Sequence, residues 1–266
     1  MNLSKILLWS QTDQIMETQF VDYHCHLDLY PNHEDLLAES QKNGIATLTV
    51  TTTPKAWQKN VKMASSYDQV RVALGLHPQL VSQRANELVL FEELLQSSRF
   101  VGEVGLDASK KFYSSFTQQQ QVFQSILQMC AQYQNKILSI HSAYSSKKVL
   151  DALETHFFPN NGKVVLHWFS GSKYDIQRAV EMGCYFSINQ EMVKNKNMQK
   201  NLPYIPLEKI LSETDGPFIE YKDDVIRPVN VRELLVSLGS LMNIDAQEIK
   251  KRILKNLANL EYESKG

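Results

Sequence analysis

The chain has 266 residues, 43% of them hydrophobic and 21% charged, with 28 basic and 29 acidic side chains and a formal charge of −1. That length suits one large domain or two small ones, and a single α/β barrel takes up all of it. A near-neutral balance excludes a basic clamp on long nucleic acid, which needs a clear Lys/Arg excess, but leaves room for a pocket that takes a strand end. The three cysteines, Cys25, Cys130 and Cys184, are far apart and make neither a disulfide framework nor a CxxC zinc pattern, so a reducing compartment is expected. The early apolar run Ile6–Trp9 stops at Ser10, too short for a signal peptide, and no stretch approaches the ~18 apolar residues of a membrane helix. A cytoplasmic protein without membrane contact is the expectation.

Residues 1–19 precede the first strand and read as an extension, either an added helix or a loose arm. From there the chain alternates. Strand-like runs fall at Phe20–His26, Ile45–Thr52, Val70–His77, Phe100–Gly105, Lys136–His141, Val164–His167, Cys184–Ile188 and Lys209–Glu213. Helical patterns sit between them, at Glu34–Asn43, Lys55–Ser65, Glu87–Ser97, Thr117–Gln134, Ser146–His156 and Tyr174–Glu181. Within the longest, Val122, Phe123, Ile126, Leu127 and Cys130 recur at helical spacing and predict a core stripe. In the tail, Asp245 stands three residues before Glu248 as in a capping box, ahead of an apolar face of Ile249, Ile253, Leu254 and Leu257. Eight strand-then-helix units predict a closed (β/α)8 barrel over residues 20–266, with an open doubly wound sheet as the alternative. No Gly-rich fingerprint follows any strand, so a dinucleotide site gains no support.

Chemistry-bearing residues gather at the predicted strand ends. His24 and His26 are one residue apart, so a strand sends both imidazoles to one face and Cys25 to the other. Glu103, His141, His167 and Asp215 close the fourth, fifth, sixth and eighth strands. Each has an ordinary structural explanation, such as a histidine bonded to a loop carbonyl or an aspartate shaping a Gly-Pro turn. Together, four of the seven histidines and two carboxylates at one end of a barrel make a ligand set. Mixed imidazole and carboxylate donors suit Zn²⁺, Mn²⁺ or Mg²⁺, and six side chains exceed the need of one ion, which points to two ions sharing a carboxylate.

Six motifs in order, His24-Cys-His-Leu-Asp28, Gly75-Leu-His-Pro78, Gly102-Glu-Val-Gly-Leu-Asp107, Ile140-His-Ser142, His167-Trp-Phe-Ser-Gly171 and Glu213-Thr-Asp-Gly-Pro217, resemble the TatD family of metal-dependent deoxyribonucleases. The resemblance covers residues 20–260. It implies a TIM barrel of the amidohydrolase superfamily that hydrolyses phosphodiester bonds in DNA with two divalent ions. On that basis His24, His26 and Asp215 are expected to hold one ion, His141 and His167 the second, and Glu103 to bridge them. Asp215 is the expected proton acceptor, and Glu213, two residues earlier, an orienting or substitute catalytic carboxylate. His77, Ser170 and Gly171 are candidate substrate contacts, Trp168 a candidate base-stacking ring, and Lys194, Lys196, Lys200 and Lys209 a basic stretch able to meet a DNA backbone. The segment Phe20–Pro31 further resembles the TatD-like member of bacterial Qat anti-phage systems, which implies other Qat proteins as partners. Three departures from the family pattern concern substrate grip: Ala143 where an arginine is common, Gln79 where a second histidine is common, and Ala108-Ser109 where an aromatic is common. Two other readings remain: an amide or ester hydrolase acting on a nucleic-acid conjugate, and a structural subunit of a defence complex.

Overall fold

The computed structural model describes residues 18–158, 162–221 and 224–262; the extension expected at 1–19 lies outside these apart from Thr18 and Gln19. Eight parallel strands form: β1 (Phe20–Cys25), β2 (Ile45–Val50), β3 (Val70–Ala73), β4 (Phe100–Gly105), β5 (Ile137–His141), β6 (Lys163–His167), β7 (Tyr185–Ile188) and β8 (Ile210–Ser212). Continuous ladders join β1-β2-β3 and β4 through β8. Irregular backbone bonds close the two seams. At one, Gly102 N–H donates to Leu74 O (2.8 Å) and Leu76 N–H to Glu103 O (3.1 Å). At the other, Asp215 N–H donates to His24 O (2.9 Å) and His26 N–H to Gly216 O (2.8 Å). The result is the expected (β/α)8 barrel. All six residues of β2 and of β4 are buried, as in parallel strands covered on both faces.

Helices His33–Lys42, Pro54–Ala64, Leu88–Leu95, Phe116–Cys130, Ser146–His156 and Lys173–Glu181 make the outer layer, close to the predicted spans. The predicted stripe on Phe116–Cys130 is buried from Val122 to Cys130, each large apolar side chain contributing about 1.5–3 kcal/mol. Ser172 and Asp175 form a reciprocal capping box at Lys173–Glu181. The tail helix Ala246–Glu261 starts differently from its predicted capping box: Asp245 accepts from Gln247 N–H (2.8 Å), while Glu248 turns along the helix to Arg252 Nε (2.8 Å). Helix Val231–Met242, the short helices Gln190–Lys194 and Lys196–Asn201, and a hairpin of β9 (Glu220–Tyr221) with β10 (Asp224–Val225) were not predicted.

The predicted strands ran long where the site lies. β1 stops at Cys25, β3 at Ala73 and β8 at Ser212, so His26, His77, Glu213 and Asp215 stand just past the ladder. Gly75 shows the reason: a Cβ there would lie 1.7 Å from Thr51 O and 2.5 Å from Glu103 N. Only glycine lets β3 press against the neighbouring backbone and leave the ladder at that point. The three cysteines are free and buried, and no helix among the described residues is long and apolar enough to cross a membrane.

Candidate metal centre

The C-terminal end of the barrel opens into a cavity of about 670 Å³ whose floor holds His26, His77, Glu103, His141, His167 and Asp215. Glu103 is its centre. One carboxylate oxygen, Oε2, lies 3.4 Å from His24 Nε2 and 3.2 Å from His26 Nε2. The other, Oε1, lies 2.6 Å from His141 Nδ1, 3.2 Å from His77 Nε2 and 3.8 Å from His167 Nε2. Asp215 Oδ1 faces the first pair, 3.7 Å from His24 Nε2 and 3.6 Å from His26 Nε2. Glu103, His24 and His26 are at most 2% exposed, and burying that much polarity is costly unless the groups are paired or hold an ion.

Second contacts fix which ring nitrogen faces inward. Ser139 Oγ is 2.8 Å from His24 Nδ1, and Glu213 Oε2 is 2.8 Å from His167 Nδ1. Asp107 Oδ2 lies 3.3 Å from His141 Nε2 and accepts from Gln79 Nε2 (2.8 Å), while Gln119 on the long helix accepts from Asp107 N–H (2.8 Å). Backing partners of this kind orient metal-binding histidines. Beyond them, Asp22 accepts from both the backbone and hydroxyl of Thr214, tying the Asp215 turn to β1. Asp215 itself has left-handed backbone (φ 51°), a conformation that aspartate tolerates better than bulky residues.

Electrostatics follow from this packing. Burial alone would raise Glu103 and Asp215, but the imidazoles around them win: Glu103 sits well below the usual carboxylate range and Asp215 below it. Burial would lower His26 and His141, yet their carboxylate neighbours push them up to about 10 and about 9. His24 goes down, through burial and through His167, whose ring stacks on it at 3.6 Å. Burial pushes Asp22 up to about 8.

The donor set fits divalent ions. His24 Nε2 is buried, has no hydrogen-bond partner and points at two carboxylates, as a ligand nitrogen would. Donor atoms group as His24–His26–Glu103 and as His77–Glu103–His141, two sets sharing Glu103. A third group, His24–His167–Glu213, includes the carboxylate that backs His167. Ligand imidazoles must be unprotonated, so ions displace the protons that His26 and His141 hold near neutral pH. Titrating Mn²⁺ into metal-free protein should therefore release protons and bind more tightly as pH rises toward 9–10. Calorimetry in buffers of different ionisation enthalpy checks this; heats independent of the buffer would refute it.

The six expected ligands thus converge. His77 lies closer to Glu103 than His167 does, within the donor ring and not merely beside it. Ser170 lines the cavity mouth, whereas Gly171 does not and accepts from Asn201 Nδ2 (3.3 Å). Trp168 lines it too. Glu213 is outside the lining, and Asn189, Ser187 and His167 occupy its oxygens. The basic stretch does not reach the cavity. Lys194 pairs with Glu191 (2.8 Å), and Lys209, at the opposite end of β8, donates to Gly183 O (3.1 Å). Asp28 accepts from Asn60 Nδ2 (3.1 Å) away from the site. Ser139 and Asp107 were missed, although Ser139 is two residues from His141 and so shares its face.

Comparison with known proteins agrees with this architecture. The family described as TatD related DNase matches residues 21–261. The uncharacterised metal-dependent hydrolase YjjV of Escherichia coli is 26% identical over 261 residues, covering 92% of this chain and 98% of its own. Its crystal structure superposes with a TM-score of 0.82 at 25% identity, covering 92% of this chain and 98% of that one. The 3'-5' ssDNA/RNA exonuclease TatD of Salmonella typhimurium is 29% identical over 208 residues, 76% of this chain and 79% of its own. With ordered motifs, barrel and donor cluster all in agreement, the chain belongs to the TatD family of metal-dependent hydrolases.

Proposed function

We propose that the protein is a two-metal nuclease that hydrolyses phosphodiester bonds in DNA, working from the ends of single strands. The observation that carries this is Glu103, whose two oxygens face separate sets of imidazoles beneath an open cavity. His24, His26 and Asp215 would hold one ion with Glu103 Oε2; His141 and His167 would hold the second with Oε1, and His77 completes the ring beside it. Mg²⁺, Mn²⁺ or Zn²⁺ there would supply the charge that activates water and polarises a phosphoryl oxygen. Asp215, lining the cavity, takes the proton of the attacking water, and Ser170 offers a hydroxyl to the phosphate. Glu213 and Asp107 hold the His167 and His141 rings in place. The named activity of the Salmonella relative on single-stranded DNA and RNA supports the substrate class.

End-labelled single-stranded DNA should shorten stepwise in Mg²⁺ or Mn²⁺ and stay intact in EDTA. Efficient cutting of closed circular duplex would overturn entry from the end. A second reading, hydrolysis of an amide or ester on a nucleic-acid conjugate, is favoured by one feature: no Lys or Arg is among the described residues lining the cavity. The resemblance of Phe20–Pro31 to the Qat protein supports a role in anti-phage defence beside other proteins of such a system. Phage plating on cells with and without an intact Glu103 tests that role.

A further inference from the structure

Around the cavity mouth the chemistry changes from polar to aromatic. Tyr144 stands on the loop after β5, 85% exposed, and Phe218 on the loop after β8, 62% exposed. Both line the cavity, and they rise three strands apart around the barrel. Each follows a donor of the metal centre by three residues, His141 and Asp215 respectively. The Phe218 ring meets the His26 ring edge-on at 5.0 Å, which places it beside a candidate ligand of the metal centre. Tyr144 has left-handed backbone (φ 52°), which is unusual for a bulky side chain and here turns the ring outward instead of into the core. Large exposed rings cost hydration free energy, and no ring contact within the described residues covers Tyr144.

The same cavity has no lysine or arginine among its described lining residues, and position 143, where the resemblance leads one to expect an arginine, is alanine. A strand that enters it meets no lysine or arginine there to grip its phosphates. Grip beyond what the metal centre and Ser170 give the phosphate must come from another part of the nucleotide, and every base has a face that stacks on an aromatic ring. We propose that Tyr144 and Phe218 form a nucleobase subsite that holds the unpaired terminal base of a single strand by stacking while the adjoining phosphodiester lies over Glu103. The proposal rests on the nuclease reading. It assigns recognition to a base without hydrogen-bond readout, so purines and pyrimidines are both accepted. A base paired inside a duplex is stacked on both faces and is refused.

The test uses single-stranded oligothymidylates ending in 2-aminopurine or in an abasic site. Binding is followed by 2-aminopurine fluorescence with Mn²⁺ and the Asp215→Asn protein, which leaves the strand uncut; cleavage is followed with the parent protein. Stacking should quench the fluorescence, and KM for the abasic end should exceed that for the base-bearing end by about tenfold or more. In Tyr144→Ala and Phe218→Ala proteins the quenching and the KM ratio should collapse toward one, while Tyr144→Phe should restore both. Quenching and ratio unchanged in the double alanine variant would overturn the subsite even if cleavage continues. A protein that quenches but cuts no oligonucleotide in Mg²⁺, Mn²⁺ or Zn²⁺ would overturn the nuclease reading and leave the subsite standing. One that neither quenches nor cuts would overturn both.

Discussion

Glu103→Ala protein should hold fewer divalent ions than the parent and lose hydrolysis of DNA. Two cations held close together repel, and Glu103 is the anion placed between the two imidazole sets. Glu103→Gln separates this effect from folding, because it keeps the shape and one acceptor oxygen but removes the charge. It should fold like the parent and still fail to hold both ions, as read by mass spectrometry of bound metal and by circular dichroism. The alanine variant should also lose stability in a pH-dependent way. His26 and His141 have folded-state pKa values raised to about 10 and about 9, so the stabilisation from their ion pairs is present below about 6.5 and fades as pH rises through those values. Removing Glu103 should therefore lower the melting temperature of metal-free protein most on the acid side and least near pH 10. An active Glu103→Ala protein would rule out the two-metal mechanism.

Asp215→Asn should keep the fold and at least one ion while hydrolysis falls by about 10²–10⁴. The asparagine oxygen can still coordinate, and the backbone bond from residue 215 to His24 O is untouched by the change. What disappears is a carboxylate held below its usual range, ionised and therefore able to accept a proton throughout the neutral range. Glu213 cannot take over, since its oxygens are occupied by His167, Ser187 and Asn189 and it does not line the cavity. Glu213→Gln should act differently, weakening metal binding by roughly 10–100-fold through a loosened His167. Metal titrations and single-turnover cleavage on the two variants distinguish a proton acceptor from a positioning group. Cleavage by Asp215→Asn at the parent rate would show that the base lies elsewhere.

Much of this architecture was legible from residue order. β-branched and apolar runs alternating with helical stripes identified all eight strands, because a barrel strand is buried on both faces and its helix on one. Convergence of the six candidate ligands followed from their common place at strand ends. The strand ends themselves were harder to place. His77 N–H donates to Thr52 O and Asp215 N–H to His24 O outside the ladders, and composition does not separate such bonds from a ladder. Helix Val231–Met242 has Val231, Leu234, Leu235 and Leu238 at helical spacing and was readable, whereas Gln190–Lys194 and Lys196–Asn201 were masked by their basic residues. Ser139 and Asp107 escaped notice as backing partners because their roles depend on which ring nitrogen faces the cavity.

The seam between β1 and β8 has a consequence for synthesis. Asp22, His24 and His26 leave the ribosome early, but Thr214, Asp215 and Gly216, which meet them across that seam, emerge about 190 residues later. Until then the first imidazole pair lacks its aspartate, and a growing chain holds an incomplete ligand set. Such contacts, distant in sequence, are among the last that folding can form. A hydrolase assembled this way stays inert while nascent, and ions that bind only the completed ring stabilise finished molecules selectively. Fragments released before residue 215 should be metal-poor and inactive, so translation must pass the eighth strand before the cell meets a working centre.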